Sequence, residues 1–433
     1  LTTLPEDEGG VEHVFYWNPG VDVLTPDSSV RLRVQVSDGG QQQSLITPLG
    51  TPLFNDPEDT GVFVPVSTPS PTFSSFVVTE SALSMTGCTD LVAFDRDATN
   101  NDQLAVLCGG EVEVYSLQDS GWIADGSPIA LAASGTSIVA GDFDGDSDED
   151  VAVVVEQPGP EFSVALLENQ SGTLLPPVSV AVSSAVSDLV PVNWRDTNEQ
   201  RDLVGLVGGD ITLFEMSAFP SSDPVTLRVL ASPPNPQALA TGRWDGPDGP
   251  SDVDDLIVSL EPFDDSFGSS DIYLFRNDGT GGVIAPEALG MRGNSVNFFA
   301  RVFVADIQGD DRLDVIGLDL STARVQIGVQ TELGLEVSGF DLNSPLAARS
   351  LESLDGVRNE VFVLQPDGAV SRATVELAEN GIQVTSATSI GHEPCQGSGG
   401  EQGLTIALSG DDTVLDTFDF DAEARLVWID DCA

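Results

Sequence analysis

The chain has 433 residues, 70 acidic side chains against 16 basic ones and a formal net charge of −54, and every basic residue is Arg. A surface of that sign repels phosphates and anionic headgroups, which argues against nucleic acid and membrane surfaces as partners. It also repels itself, so bound cations, ambient salt or wide spacing must offset it. No apolar run approaches the roughly 20 residues of a membrane-spanning helix. The cysteines fall into two local pairs, Cys88 with Cys108 and Cys395 with Cys432, without Cys-x-x-Cys spacing. Two disulfides and an oxidising compartment are one reading of the pairs, and four buried thiols the other. The chain begins at Leu1 without Met or an apolar leader, which reads as a processed, secreted or cell-surface product.

Residues 1–58 differ in pattern from the rest of the chain. Residues 14–18 and 30–36 read as strands, the second alternating Arg31, Arg33 and Gln35 with Leu32, Val34 and Val36. They resemble the closing part of an immunoglobulin-like or fibronectin-like module, although a full sandwich needs about 100 residues. Residues 59–82 read as a linker, Pro- and Ser-rich over 64–75, which also supplies a strand near 73–79.

From residue 83 to 433 a pattern recurs at intervals of roughly 50 residues, the spacing of propeller blades. It is an apolar strand, an Asp-rich turn, a second apolar strand, and a third ending in a Gly-rich hairpin. The clearest copy starts at Ile138 and runs IVAGDFDGDSDEDVAVVV. Others start near Leu91, Leu189, Leu239 and Val302, and worn copies occupy 349–364 and 403–416, making seven units. The hairpin Asn169-Gln170-Ser171-Gly172 returns as Asn277-Asp278-Gly279-Thr280-Gly281-Gly282. Short alternating runs without a sustained 3.6-residue period predict an all-β fold of antiparallel sheets. A closed ring protects the edges of such sheets, so the expected architecture is a seven-bladed β-propeller. The last unit is too short for four strands, and the strand near 73–79 is expected to complete it.

Asp142, Asp144, Asp146 and Asp150 hold the first, third, fifth and ninth places of one turn. Carboxylates packed that closely repel one another by several kcal/mol unless a cation joins them. Calcium takes six to eight oxygens at about 2.3–2.6 Å, and this loop offers alternate carboxylates and the backbone carbonyl of Asp148. Gly145 permits the bend.

The loop resembles those of the FG-GAP or VCBS repeat family, whose propellers hold calcium between the first two strands of a blade. The resemblance implies a second site in the fifth unit, made of Asp306, Gln308, Asp310, the carbonyl of Arg312, and Asp314. It implies a third in the first unit from Asp95, Asp97, Thr99 and Asn101, although Gln103 stands where the closing Asp belongs. The remaining turns have shifted spacing or lack the acids and read as metal-free.

Catalytic patterns are sparse. Without Lys there is no phosphate-binding P-loop, and neither HExxH nor GxSxG occurs. A calcium ligand must stay ionised, whereas the acid of a glycosidase pair needs a raised pKa. Trp194 and Trp244, beside the turns, read as packing residues in preference to sugar platforms. The expected function is a non-catalytic, calcium-binding extracellular module that binds a protein or polysaccharide at a propeller face. The alternatives are a structural subunit of a surface filament and a polysaccharide-active enzyme such as a lyase.

Overall fold

A computed structural model describes residues 31–38, 41–48, 79–85, 87–96, 102–118, 121–157, 162–195, 200–220, 225–244, 253–261, 271–291, 299–305, 307, 312–319, 324–331, 334–341, 360–364, 370–378, 381–390, 404–409 and 423–430. The chain divides into two compact units, Leu1–Ser75 and Phe76–Ala433. The division falls inside the stretch read as a linker.

In the first unit Arg31–Asp38 pairs antiparallel with Gln41–Pro48, placing Val34 opposite Leu45 and Asp38 opposite Gln41. Two residues, Gly39 and Gly40, separate these strands in the sequence. The expected strand at 14–18 lies outside the described residues. The polar start of Gln41–Pro48 concealed that strand from a hydrophobicity reading.

The second unit is all-β. Its first five sheets follow one plan, in which four strands run antiparallel in chain order. The first sheet contains Cys88–Asp95, Asp102–Cys108, Glu111–Gln118 and Gly121–Ala124, with Ile129–Ala130 added to the third strand. The second contains Ser134–Gly141, Asp150–Glu156, Phe162–Leu167 and Val178–Val182. The third contains Val186–Val192, Asp202–Val207, Asp210–Glu215 and Thr226–Ala231. The fourth contains Pro236–Gly242, Asp255–Leu260, Ile272–Phe275 and Glu287–Ala288. The fifth contains Phe299–Ala305, Asp314–Asp319, Arg324–Thr331 and Gly334–Asp341.

Among the described residues the sixth sheet has three strands, Glu360–Leu364, Val370–Ala378 and Gly381–Ile390. The seventh joins Leu404–Ser409 and Glu423–Asp430 to Thr79–Ser84, an early strand that adds in parallel, with Trp428 opposite Ala82. Of the segment 73–79 expected in this role, only Thr79 is among the described residues.

Alternation explains the layering. In the run Val151–Val155, Val151, Val153 and Val155 face a core shared with Phe94, Ala105 and Leu107 of the first sheet, while Ala152 and Val154 face one shared with Leu189, Leu203 and Phe214 of the third. Such a strand is buried on both faces, so it reads as an unbroken apolar run and not as an alternating one. Comparable cores lie between the third and fourth sheets, the fourth and fifth, and the fifth and sixth. Another joins Leu83 and Val427 of the seventh sheet to Leu91, Leu104 and Val106 of the first. Cys88 and Cys108 sit opposite one another in register beside this core and form a disulfide. Cys395 and Cys432 lie outside the described residues.

Polar bonds between sheets show a longer period. Asp90 of the first sheet accepts the amide of Ile138 in the second at 3.1 Å, as Asp188 of the third accepts that of Leu239 in the fourth at 2.7 Å. The amide of Asp95 donates to Glu149 Oε2 at 2.8 Å and the amide of Glu149 returns to the Asp95 carbonyl. Asn193 and Asp254 repeat that exchange. The side-chain bonds thus recur after two sheets, whereas the sequence pattern recurs after one, as does the main-chain bond, which the Arg201 amide also makes to the Asp142 carbonyl between the second and third sheets.

Candidate metal centre

The loop between Ser134–Gly141 and Asp150–Glu156 folds on its own carboxylates. Asp142 accepts the amides of Gly145 at 2.7 Å and Ser147 at 3.0 Å. Asp144 accepts the amide of Asp146 at 3.1 Å, and Asp146 accepts that of Asp148 at 3.0 Å. These aspartates use their side chains to make turns in place of a continued strand. The coil needs left-handed backbone at Gly145 (φ 84°) and at Ser147 (φ 76°). Glycine adopts that conformation freely and serine at a cost.

The result gathers one carboxylate oxygen from each of Asp142, Asp144 and Asp146 within 4.8 Å of one another. Burial, followed by the charges of Asp146 and Asp142, pushes the Asp144 carboxyl up to about 6. This is a set of hard oxygen donors with unneutralised negative charge, which suits calcium better than a soft or redox metal. The loop is held from both sides. Glu149 bonds to Asp95 of the first sheet, and the Asp142 carbonyl accepts the Arg201 amide beside the third at 2.7 Å.

Asp150, read from the sequence as the closing ligand, stands apart from the three. It is fully buried, and its two oxygens accept the amides of Phe143 at 2.9 Å and Asn169 at 2.7 Å. Burial pushes its carboxyl up to about 8, with the charges of Asp144 and Asp142 adding to the rise and the two amides opposing it. Asp314, read as the closing ligand of the fifth unit, is likewise buried and accepts the amides of Ile307 at 3.0 Å and Gln330 at 2.9 Å. Gln103 fills the place in the first unit, its Oε1 accepting the Arg96 amide at 3.2 Å. A neutral amide serves this position because the work done there is to accept backbone hydrogen bonds.

Of the other sequence-read ligands, Asp148 is half-buried at the end of the loop, Arg312 is half-buried ahead of Asp314, and Asp95 ends the first strand of its sheet. Asp97, Thr99, Asn101, Asp306, Gln308 and Asp310 lie outside the described residues.

Asn169 and Asn277 have roles that the sequence pattern does not announce. Asn169 Nδ2 donates to the carbonyls of Arg96 at 2.7 Å and Glu149 at 3.1 Å, and Asn277 Nδ2 donates to that of Trp194 at 2.9 Å. Each side chain therefore clasps the preceding sheet. The signal was present in the recurring Asn-led hairpin, which reads first as a turn. Trp194 and Trp244 are buried, and Trp194 Nε1 donates to the Gly281 carbonyl at 3.0 Å, so both are packing residues.

The first strands of the first five sheets border a cavity of about 560 Å³ whose lining includes Asp90, Glu156, Asp188, Thr241 and Arg301.

No protein family and no curated protein matches the chain. Among solved structures, one of an Agrocybe aegerita lectin, described by its recognition of non-reducing terminal N-acetylglucosamine, is similar to it at a TM-score of 0.46 and 12% identity. That similarity covers 70% of this chain and 80% of the lectin chain.

Proposed function

We propose that residues 76–433 form a seven-bladed β-propeller of the FG-GAP or VCBS type, fixed by calcium, which acts outside the cell as a non-catalytic binding or scaffolding module. The carboxylates gathered at Asp142, Asp144 and Asp146 carry this reading. Calcium would be held there by those three side chains, with the Asp148 carbonyl adding a main-chain oxygen and Asp150 bracing the loop through the amides of Phe143 and Asn169. Its chemistry is structural, because it cancels the mutual repulsion of the acids and locks a loop pinned to sheets on both sides.

The ring is supported by the sharing of cores between successive sheets from the first to the sixth and by the apolar contact of the seventh sheet with the first. An extracellular location is supported by the Cys88–Cys108 disulfide. The partner, a protein or a polysaccharide, docks on a propeller face, where the central cavity opens.

Thermal unfolding tests the reading. Calcium added to the chelated protein should raise Tm, by the equivalent of about 2.7 kcal/mol when free calcium is a hundred times Kd. Magnesium should restore little, because it prefers a smaller octahedral site and keeps its water. Identical curves with chelator and with calcium would defeat the proposal.

A further inference from the structure

Each first strand of the first five sheets is an end strand, so one of its edges lies off the ladder, and all five strands border the central cavity. Two aspartates occupy the donors of that edge. Asp90 accepts the amide of Leu91 at 3.1 Å on one oxygen and that of Ile138 at 3.1 Å on the other. Asp188 does the same for Leu189 at 3.1 Å and Leu239 at 2.7 Å. A residue of an antiparallel pair whose amide is off the ladder has its carbonyl off the ladder on the same side. Leu91, Ile138, Leu189 and Leu239 all line the cavity, so their carbonyls face it while their amides are already bonded.

The side chains of the lining share this bias toward acceptors. Asp90, Glu156 and Asp188 bring carboxylates, and Thr136, Ser137 and Ser187 bring hydroxyls. Among the described lining residues Arg301 is the one base, so the carboxylates outnumber it locally. Two residues along the strands from Asp90, Ser137 and Asp188 stand Val92, Val139 and Val190, which line the same cavity. Two residues of strand span about 6–7 Å, so an acceptor-rich zone and an apolar zone lie within the reach of one short aliphatic chain. The volume of about 560 Å³ falls in the range of about 300–1,000 Å³ usual for small-molecule sites.

We propose that the central cavity binds a small organic cation, a primary ammonium carried on a short aliphatic chain. The ammonium has donors and no acceptor, so it suits a wall of carbonyls and carboxylates, and its chain covers Val92, Val139 and Val190. An inorganic cation leaves that apolar zone uncovered, and an anion meets acceptors on the strands other than that of Arg301. The inference rests on the proposed ring, in which these strands surround one axis, and it makes no use of the calcium loop.

Calorimetric titration of the calcium-loaded protein with hexylammonium tests the site, in about 0.15 M salt to screen the outer surface. Hexylammonium should bind at a single site and at least about tenfold more tightly than methylammonium, which lacks the chain, or hexan-1-ol, which lacks the charge. Arg301→Gln removes the opposing charge and should tighten binding about twofold to fivefold, while Glu156→Gln should weaken it by a similar factor. A calcium-dependent Tm like that of the wild type verifies that each variant is folded. Binding of Nα-acetyl-lysine methylamide as tight as that of hexylammonium would support the site with the Lys of a protein partner as its source, and weaker binding would support it with a free amine. Equal affinity for hexylammonium and methylammonium would reduce the effect to cations gathering on an acidic surface, and equal affinity for hexan-1-ol would reduce it to apolar contact. Either result, no binding at all, or affinities unchanged in both variants would overturn the proposal. A calcium response of Tm retained without hexylammonium binding would defeat this inference alone, whereas loss of that response would defeat the calcium-propeller reading.

Discussion

Asp150 and Asn169 hold one another's segments in place: an Asp150 oxygen accepts the Asn169 amide at 2.7 Å, and the Asn169 side chain reaches on to the Arg96 carbonyl of the neighbouring sheet, also at 2.7 Å. One buried carboxylate thereby ties the acidic loop, its own sheet and the sheet before it. Replacing Asp150 by Ala strands two amides in an apolar setting, each costing about 1–3 kcal/mol. Urea unfolding with chelator present should show a loss of at least about 2 kcal/mol for Asp150→Ala. Asp146→Asn, changed at an exposed position, should cost under about 0.5 kcal/mol under the same conditions.

The clasp formed by Asn169 recurs at Asn277, whose amide donates to Asp255 at 2.8 Å. Asn169→Ala and Asn277→Ala should each destabilise by about 1–2 kcal/mol, since each leaves a carbonyl of the preceding sheet without its donor. Gln170→Ala, at an exposed place in the same hairpin, should be nearly neutral. Comparison of urea midpoints at constant slope checks this.

Much of this fold was legible in the sequence. The strands containing Leu91, Ile138, Leu189, Leu239 and Val302 open the first five sheets, because their apolar runs recur ahead of an Asp-containing turn even where the spacing of its acids has shifted. The three gathered acids were legible too, since short acidic side chains at alternate places of a turn must converge. The role of Asp150 was not. A carboxylate that accepts backbone amides and one that faces a cation occupy the same place in the sequence, and only the positions of Phe143 and Asn169 distinguish them. The two-sheet period of the side-chain bonds escaped as well, because Glu149 and Asp254 read as ordinary turn acids until the fold sets them against the amides of Asp95 and Asn193.

Acidity should act in opposite directions with and without calcium. Asp144 and Asp150 have carboxyls raised to about 6 and about 8, so the ion-free folded state binds protons more tightly than the unfolded chain. Their ionisation opposes folding at high pH, and that opposition is relieved as pH falls from about 8 towards 4. With calcium bound, protons compete for the Asp144 oxygens and the gain from calcium shrinks below about pH 6. Melting curves at pH 8 and pH 5, with calcium and with chelator, should show the calcium increment falling with pH. Asp144→Asn should flatten the ion-free dependence.

Ser147 has a left-handed backbone at φ 76° while its amide bonds to Asp142 at 3.0 Å. Ser147→Gly keeps that hydrogen bond and removes the clash of Cβ, so stability should rise by about 0.5–1 kcal/mol despite the freer unfolded chain. Denaturant midpoints of the two proteins measure the change.

Calorimetric titration of the chelated protein with calcium bears most directly on the proposed metal centre. Wild type should bind calcium, and Asp144→Asn, which removes one of the three gathered charges, should weaken the binding at this loop by at least about tenfold, or about 1.4 kcal/mol. Absence of a binding isotherm in the wild type, or an isotherm unchanged by Asp144→Asn, would contradict a calcium site built from Asp142, Asp144 and Asp146.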